Sequence, residues 1–86
     1  MSYSRERIIE VNPDAYMWDD MDNAIVGISE ELRVVYDIYK MECIVYDENK
    51  DNITFEEAVE WVDFNILSTY LGEYTPIHIW IIPTPE

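Results

Sequence analysis

The chain holds one cysteine and one histidine, Cys43 and His78, and these are its only candidates for a thiol nucleophile and an imidazole base. Such catalysis needs the thiolate beside its base, usually with a third group orienting the base. Cys43 falls on or beside the apolar stripe of a helix expected over 38–48, and His78 within an alternating, strand-like segment. No cluster of arginines and no positive helix end is in view to lower the thiol pKa. A small buried cysteine and a hydrogen-bonded sheet histidine explain both residues, so no catalytic residue is assigned.

Metal chemistry has three starting points. In YDENKDNITFEEAVEW (46–61), Asp47, Asn49 and Asp51 alternate as in the first half of an EF-hand loop. Counted from Asp47, however, position 12 is Ala58, and a methyl group cannot coordinate calcium. Thr54 and Glu57 in the same stretch spell an S/T-x-x-E capping box, which accounts for the polar turn. Pro13-Asp14 and Glu48-x-Lys50 reproduce the order of a PD…E-x-K nuclease, but that site needs its E-x-K on a strand, and here it falls between two helices. Asp19, Asp20 and Asp22 could hold a hard cation only weakly, without fixed spacing or supporting groups. With two glycines there is no phosphate-binding loop. Neither metal nor cofactor is expected.

The elements that position these residues follow from periodicity. RIIEV (7–11) reads as a short strand, closed by the Asn12-Pro13-Asp14 turn signal. The conformation of 15–23 is not assigned. AIVGIS (24–29) and LRVVY (32–36) read as a hairpin with a turn near Glu30-Glu31, Gly27 marking a bulge or a close approach. Asp37 caps a helix over 38–48 whose stripe is Ile38, Met41, Ile44 or Val45, with Glu42 on its flank. A second helix runs from Phe55 to about Tyr70, burying Phe55, Ala58, Val59, Val62 and Ile66 and ending at Gly72. PIHIWII (76–82) alternates and reads as a strand with both faces at least partly covered, stopped by Pro83 and Pro85. The expectation is a single α+β domain over 1–86, a small antiparallel or mixed sheet of three to four strands with the two helices (about 38–48 and 55–70) on one face.

Four segments in order, DNAIVG (22–27), VVYDIYK (34–40), TFEEAVEWVDFN (54–65) and YLGEYTPI (70–77), resemble a family of short bacteriophage proteins of unassigned activity. In that family D-x-A-I-x-G, V-V-Y-D-x-x-K, F/Y-E-E-A, F-N and G-E-x-T-P-I motifs recur. The likeness covers about Asp22 to Ile79, and the chain departs from it in the Ile-Trp-Ile-Ile run that follows T-P-I. The resemblance implies a phage origin, and phages make many small proteins that disable host machinery. It carries over no site residue.

Charge is the unusual quantity. Nineteen acids against five cations give a net charge of −14, far beyond the magnitude of about 2–8 that suffices for solubility. The acids are interleaved with aromatic and branched residues, so they coat a folded body, and like-charge repulsion opposes its compactness. Between Asp51 and Glu86 there is no cation at all. On the second helix Glu56, Glu60 and Asp63 share the wet face, with Glu57 beside them. In the unassigned loop Asp19, Asp20 and Asp22 surround Trp18. Duplex DNA carries one phosphate per roughly 1.7 Å, so 14 charges match about 24 Å of duplex, comparable with a domain whose expected radius of gyration is about 12 Å.

These residues, Trp18 included, are the expected partner-binding set. The function expected is a non-enzymatic DNA mimic occupying the nucleic-acid-binding surface of a basic host protein, such as a nucleoid protein of the HU kind, a CRISPR effector, RNA polymerase or a repair glycosylase. The alternative is an interaction or assembly module whose charge serves solubility. Direct binding to nucleic acid is disfavoured by the charge. With no secretory signal pattern, a lone cysteine and an apolar run of only four residues at 79–82, a host-cytoplasmic protein off the membrane is expected. A homodimer follows if the last strand lies at a sheet edge. Trp80 is expected in the core.

Overall fold

The computed structural model describes residues 5–82. Among the described residues the chain is a small α+β fold of three helices and one three-stranded mixed sheet.

The first helix, α1 (Arg5–Val11), replaces the strand expected over 7–11. The branched residues of RIIEV favour a strand locally, but here one residue, Ile8, is fully buried while Ile9 and Val11 stay exposed. A strand alternating at every second residue would have needed a partner and a covered face; one anchored isoleucine suits a helix turn. The turn expected next is present. Asn12 N–H bonds the Ile8 carbonyl at 2.9 Å, its side-chain amide donates to the Leu32 carbonyl at 3.0 Å, and its side-chain oxygen accepts from Asp14 N–H at 3.1 Å. Residues 15–21 then lead to a 3₁₀ turn at Asp22–Ala24.

Strands β1 (Ile25–Ile28) and β2 (Val34–Asp37) form the expected antiparallel hairpin. Ile25 faces Tyr36 and Gly27 faces Val35, so Val26 is the extra residue of a bulge beside Gly27. The connection takes 29–33 rather than two residues. Ser29 N–H bonds the Arg33 carbonyl, its hydroxyl accepts from Arg33 N–H, and Leu32 adopts a left-handed φ of 64°.

Helix α2 (Ile38–Asn49) follows β2 directly, its first turn capped by the buried carboxylate of Asp37, which accepts from Lys40 N–H. Ile38, Met41 and Val45 form the buried stripe. Glu42, expected on the flank, is also buried, and desolvation followed by the charge of Asp37 raises its pKa.

Helix α3 (Phe55–Val62) starts at the predicted capping box: Thr54 Oγ1 accepts from Glu57 N–H at 3.2 Å and Glu57 Oε1 accepts from Thr54 N–H at 2.9 Å. It continues as a wider π turn over Asp63–Leu67 and stops there, short of Tyr70. Asn65, Ser68 and Thr69 each bond the carbonyl four residues back, so side chains take up the acceptors that further helical N–H groups would use. Gly72 does take a positive φ of 105°, but five residues past the helix, in a turn that Thr75 closes.

Strand β3 is only Ile77–Ile79 and pairs parallel with β2, Tyr36 facing His78 and Asp37 facing Ile79. The order β1-β2-β3 puts it at an edge. Expected to be covered on both faces to residue 82, the chain instead emerges into solvent after His78: Ile79, Trp80, Ile81 and Ile82 are all exposed, so Trp80 is not a core residue. The core lies between the hairpin and the paired helices, with Tyr36, Ile8, Met41, Val34 and Val62 as its largest fully buried side chains.

Candidate functional site

Three shallow depressions adjoin one another and share their walls. The first, of about 620 Å³, is lined by Arg5, Asp19, Asp20, Asp22 and Asn23. The second, of about 390 Å³, takes Asp19 and Asp20 from the first and adds Glu48 from the end of α2, with Met21, Val45 and Ile53 as an apolar floor and Trp61 of α3 as a wall. The third, of about 380 Å³, shares Ile53 and Trp61 and adds Glu57, Glu60 and Phe64. The loop acids and the α3 acids therefore lie along one surface, joined through Trp61.

Local structure explains this convergence. Asp20 is exposed and adopts a left-handed φ of 61°, a conformation open to aspartate because its short polar side chain can hydrogen-bond locally. Arg5 anchors the loop from α1. Its Nε lies 2.9 and 3.0 Å from the two oxygens of Asp22, the hydrogen bond going to Oδ2, and its Nη2 donates to the Trp18 carbonyl at 2.7 Å. Asp19 is almost fully exposed and only 3.8 Å from the same guanidinium. Along α3 and the π turn that continues it, Glu57, Glu60, Trp61 and Phe64 recur at i, i+3, i+4 and i+7, on a face away from the buried Ala58 and Val62. Glu56 and Asp63 are exposed on the same helix, outside the depressions. Among the described residues no cation pairs with any of the four α3 acids, whereas all three arginines pair with acids elsewhere.

Trp18 is not part of this surface. Its ring packs against the core, its indole N–H donates to His78 Nε2 at 2.9 Å and its backbone N–H donates to the Tyr36 hydroxyl at 2.8 Å. The exposed aromatics lining this surface are Trp61, at 47%, and Phe64, at 82%. Phe64 was legible as an apolar residue off the buried stripe of α3. The part played by Glu48 was not, because it depends on how α2 ends against the loop.

The other candidate chemistry is dispersed. His78 has Trp18 as its partner, its ring lies 6.1 Å from that of Tyr36, and burial together with the charge of Arg33 lowers its pKa. Cys43 is half-buried on α2. Glu48 and Lys50 belong to the end of α2 and its cap, not to a strand, and Asp14 to the turn after α1. Ala58, at the twelfth loop position, is fully buried. Among the described residues no group of three or more His, Cys, Asp or Glu is arranged to hold a metal ion, and no helix is long and apolar enough to cross a membrane. Neither models of known protein families, nor curated proteins, nor solved structures match the chain.

Proposed function

We propose that this protein is a non-enzymatic, phage-type DNA mimic that occupies the nucleic-acid-binding surface of a basic host protein. The reading rests on one observation: acids of the 19–20 loop, the end of α2 and α3 adjoin along one surface, those of α3 without a cation partner among the described residues, and Trp61 and Phe64 are exposed along it. Carboxylates held by a folded scaffold present negative charge to a groove shaped for phosphates, and the long-range field accelerates encounter. Trp61 and Phe64 add what a phosphate backbone lacks, apolar anchors that can be fully desolvated at the centre of a contact. The −14 net charge makes nucleic acid itself, and an anionic lipid surface, unsuitable partners. A nucleoid protein of the HU kind, a CRISPR effector, RNA polymerase and a repair glycosylase all carry the required basic groove.

The test uses the full-length protein as bait in host lysate. Retention of a nucleic-acid-binding protein that added duplex DNA displaces is the expected result. Substituting Glu48 and Glu60 together by lysine is expected to abolish that retention with an unchanged circular dichroism spectrum. Retention indifferent to both competitor and substitution would refute the reading.

A further inference from the structure

The exposed arm after β3 is independent of the acidic surface. In the parallel register Asp37 faces Ile79, and the neighbouring chain turns into α2 at Ile38, so Trp80, Ile81 and Ile82 run past the end of β2. They are 60%, 51% and 86% exposed. Among the described residues no backbone hydrogen bond outside the β2–β3 ladder involves them. An apolar strand edge with free N–H and C=O groups is a template for another strand, and natural edges are ordinarily blunted by charge. This one is not. Tyr74 to Pro85 is the longest uncharged stretch of the chain, twelve residues between Glu73 and Glu86.

We propose that the arm pairs with the same arm of a second copy, giving a two-fold dimer through antiparallel His78–Ile82 strands. A two-fold contact requires a self-complementary patch. Ile79-Trp80-Ile81 reads the same in both directions, so pairing about Trp80 sets each Ile79 against the partner copy's Ile81 and stacks the two indoles. Charge selects the same place. Two bodies of −14 repel over most of their surfaces, and the uncharged arm is where they can meet without bringing carboxylates together. Pro76 and Pro83 flank the segment and lack the N–H that would lengthen the ladder, and β2 already fills the other edge of Ile77–Ile79, so the contact closes on one pair. Five residues bury less than the roughly 800 Å² per partner of a standard interface, so the dimer is a weak one, with a Kd of about 10–100 µM.

Salt separates this from the proposed partner binding. Screening relieves the repulsion, so self-association strengthens with salt, whereas binding to a basic partner weakens. Sedimentation of the full-length protein up to about 500 µM, at about 50 and 500 mM salt, is expected to show a monomer–dimer equilibrium at least about tenfold tighter at the higher salt. A double substitution Ile81→Glu and Ile82→Glu is expected to leave a monomer throughout. Hydrogen exchange of the unsubstituted protein is expected to show amides of 79–82 protected at high concentration and open at low. A monomer at the highest concentration and salt, open-ended oligomers, or protection that appears elsewhere while the arm stays open would overturn the proposal.

Discussion

At the scale of single residues, His78 and Trp61 carry the sharpest expectations. His78 accepts the indole N–H of Trp18 only while its Nε2 is unprotonated. Its folded pKa lies below the ordinary value near 6.5, through burial first and Arg33 second. The unfolded chain therefore binds the proton more readily, and linkage gives the sign: the contribution to stability is complete above about pH 6.5 and is lost as pH falls through the folded value. Thermal melts between about pH 7.5 and 5 should show the melting temperature falling, and His78→Gln, which keeps an acceptor but does not titrate, should flatten that slope. A His78→Gln profile parallel to the original would dissociate the histidine from the effect. For Trp61, stability and binding should separate. Trp61→Ala removes an indole 47% exposed, and should lower stability by no more than about 1 kcal/mol while weakening partner binding by at least about 2 kcal/mol, roughly thirtyfold. Phe64→Ala, at 82% exposure, should change stability by less than about 0.5 kcal/mol. Paired melts and binding titrations check both.

At the scale of elements, the clearest expectation is the capping box of α3. Thr54→Ala removes the acceptor for Glu57 N–H and should cost about 1 kcal/mol, some 4–8 °C in melting temperature for a domain this small. The same box shows what was legible in the sequence. Where a local chemical signal fixes an element, as with Thr54 and Glu57, Asp37 before α2, or Gly27 in the hairpin, the structure places the element as the signal implies. Where the outcome depends on a distant partner, it does not. RIIEV carries strand-forming residues, yet only Ile8 finds the core and the segment is helical. The end of α3 turns on three side chains that bond back to carbonyls, a competition that the apolar spacing of Phe55 to Ile66 does not reveal. The alternation of 76–82 is real, but β2 becomes a helix at Ile38 and leaves half of the segment without a neighbour. At the candidate site the α3 acids could be read from helical periodicity alone. That Trp18 turns inward could not, because its partners Tyr36 and His78 are 18 and 60 residues away in sequence.

At the scale of the whole molecule, the body measures 37 × 36 × 21 Å, with a radius of gyration of 13.4 Å against the expected value of about 12 Å. Over 37 Å a duplex carries about 22 phosphates, so a net charge of −14 is about two thirds of that density. Charge at this density opposes folding, and substituting Glu48 and Glu60 by lysine should raise the melting temperature while removing partner binding. The most direct test of DNA mimicry is the affinity for the captured basic protein as a function of salt, with duplex DNA as competitor. Carboxylates more sparse than phosphates gather fewer counterions, so the affinity should fall by about 10- to 1000-fold between about 50 and 200 mM salt, less steeply than for DNA itself, and duplex DNA should displace the protein completely. An affinity constant across that range, or a complex that binds DNA and this protein at once, would contradict it.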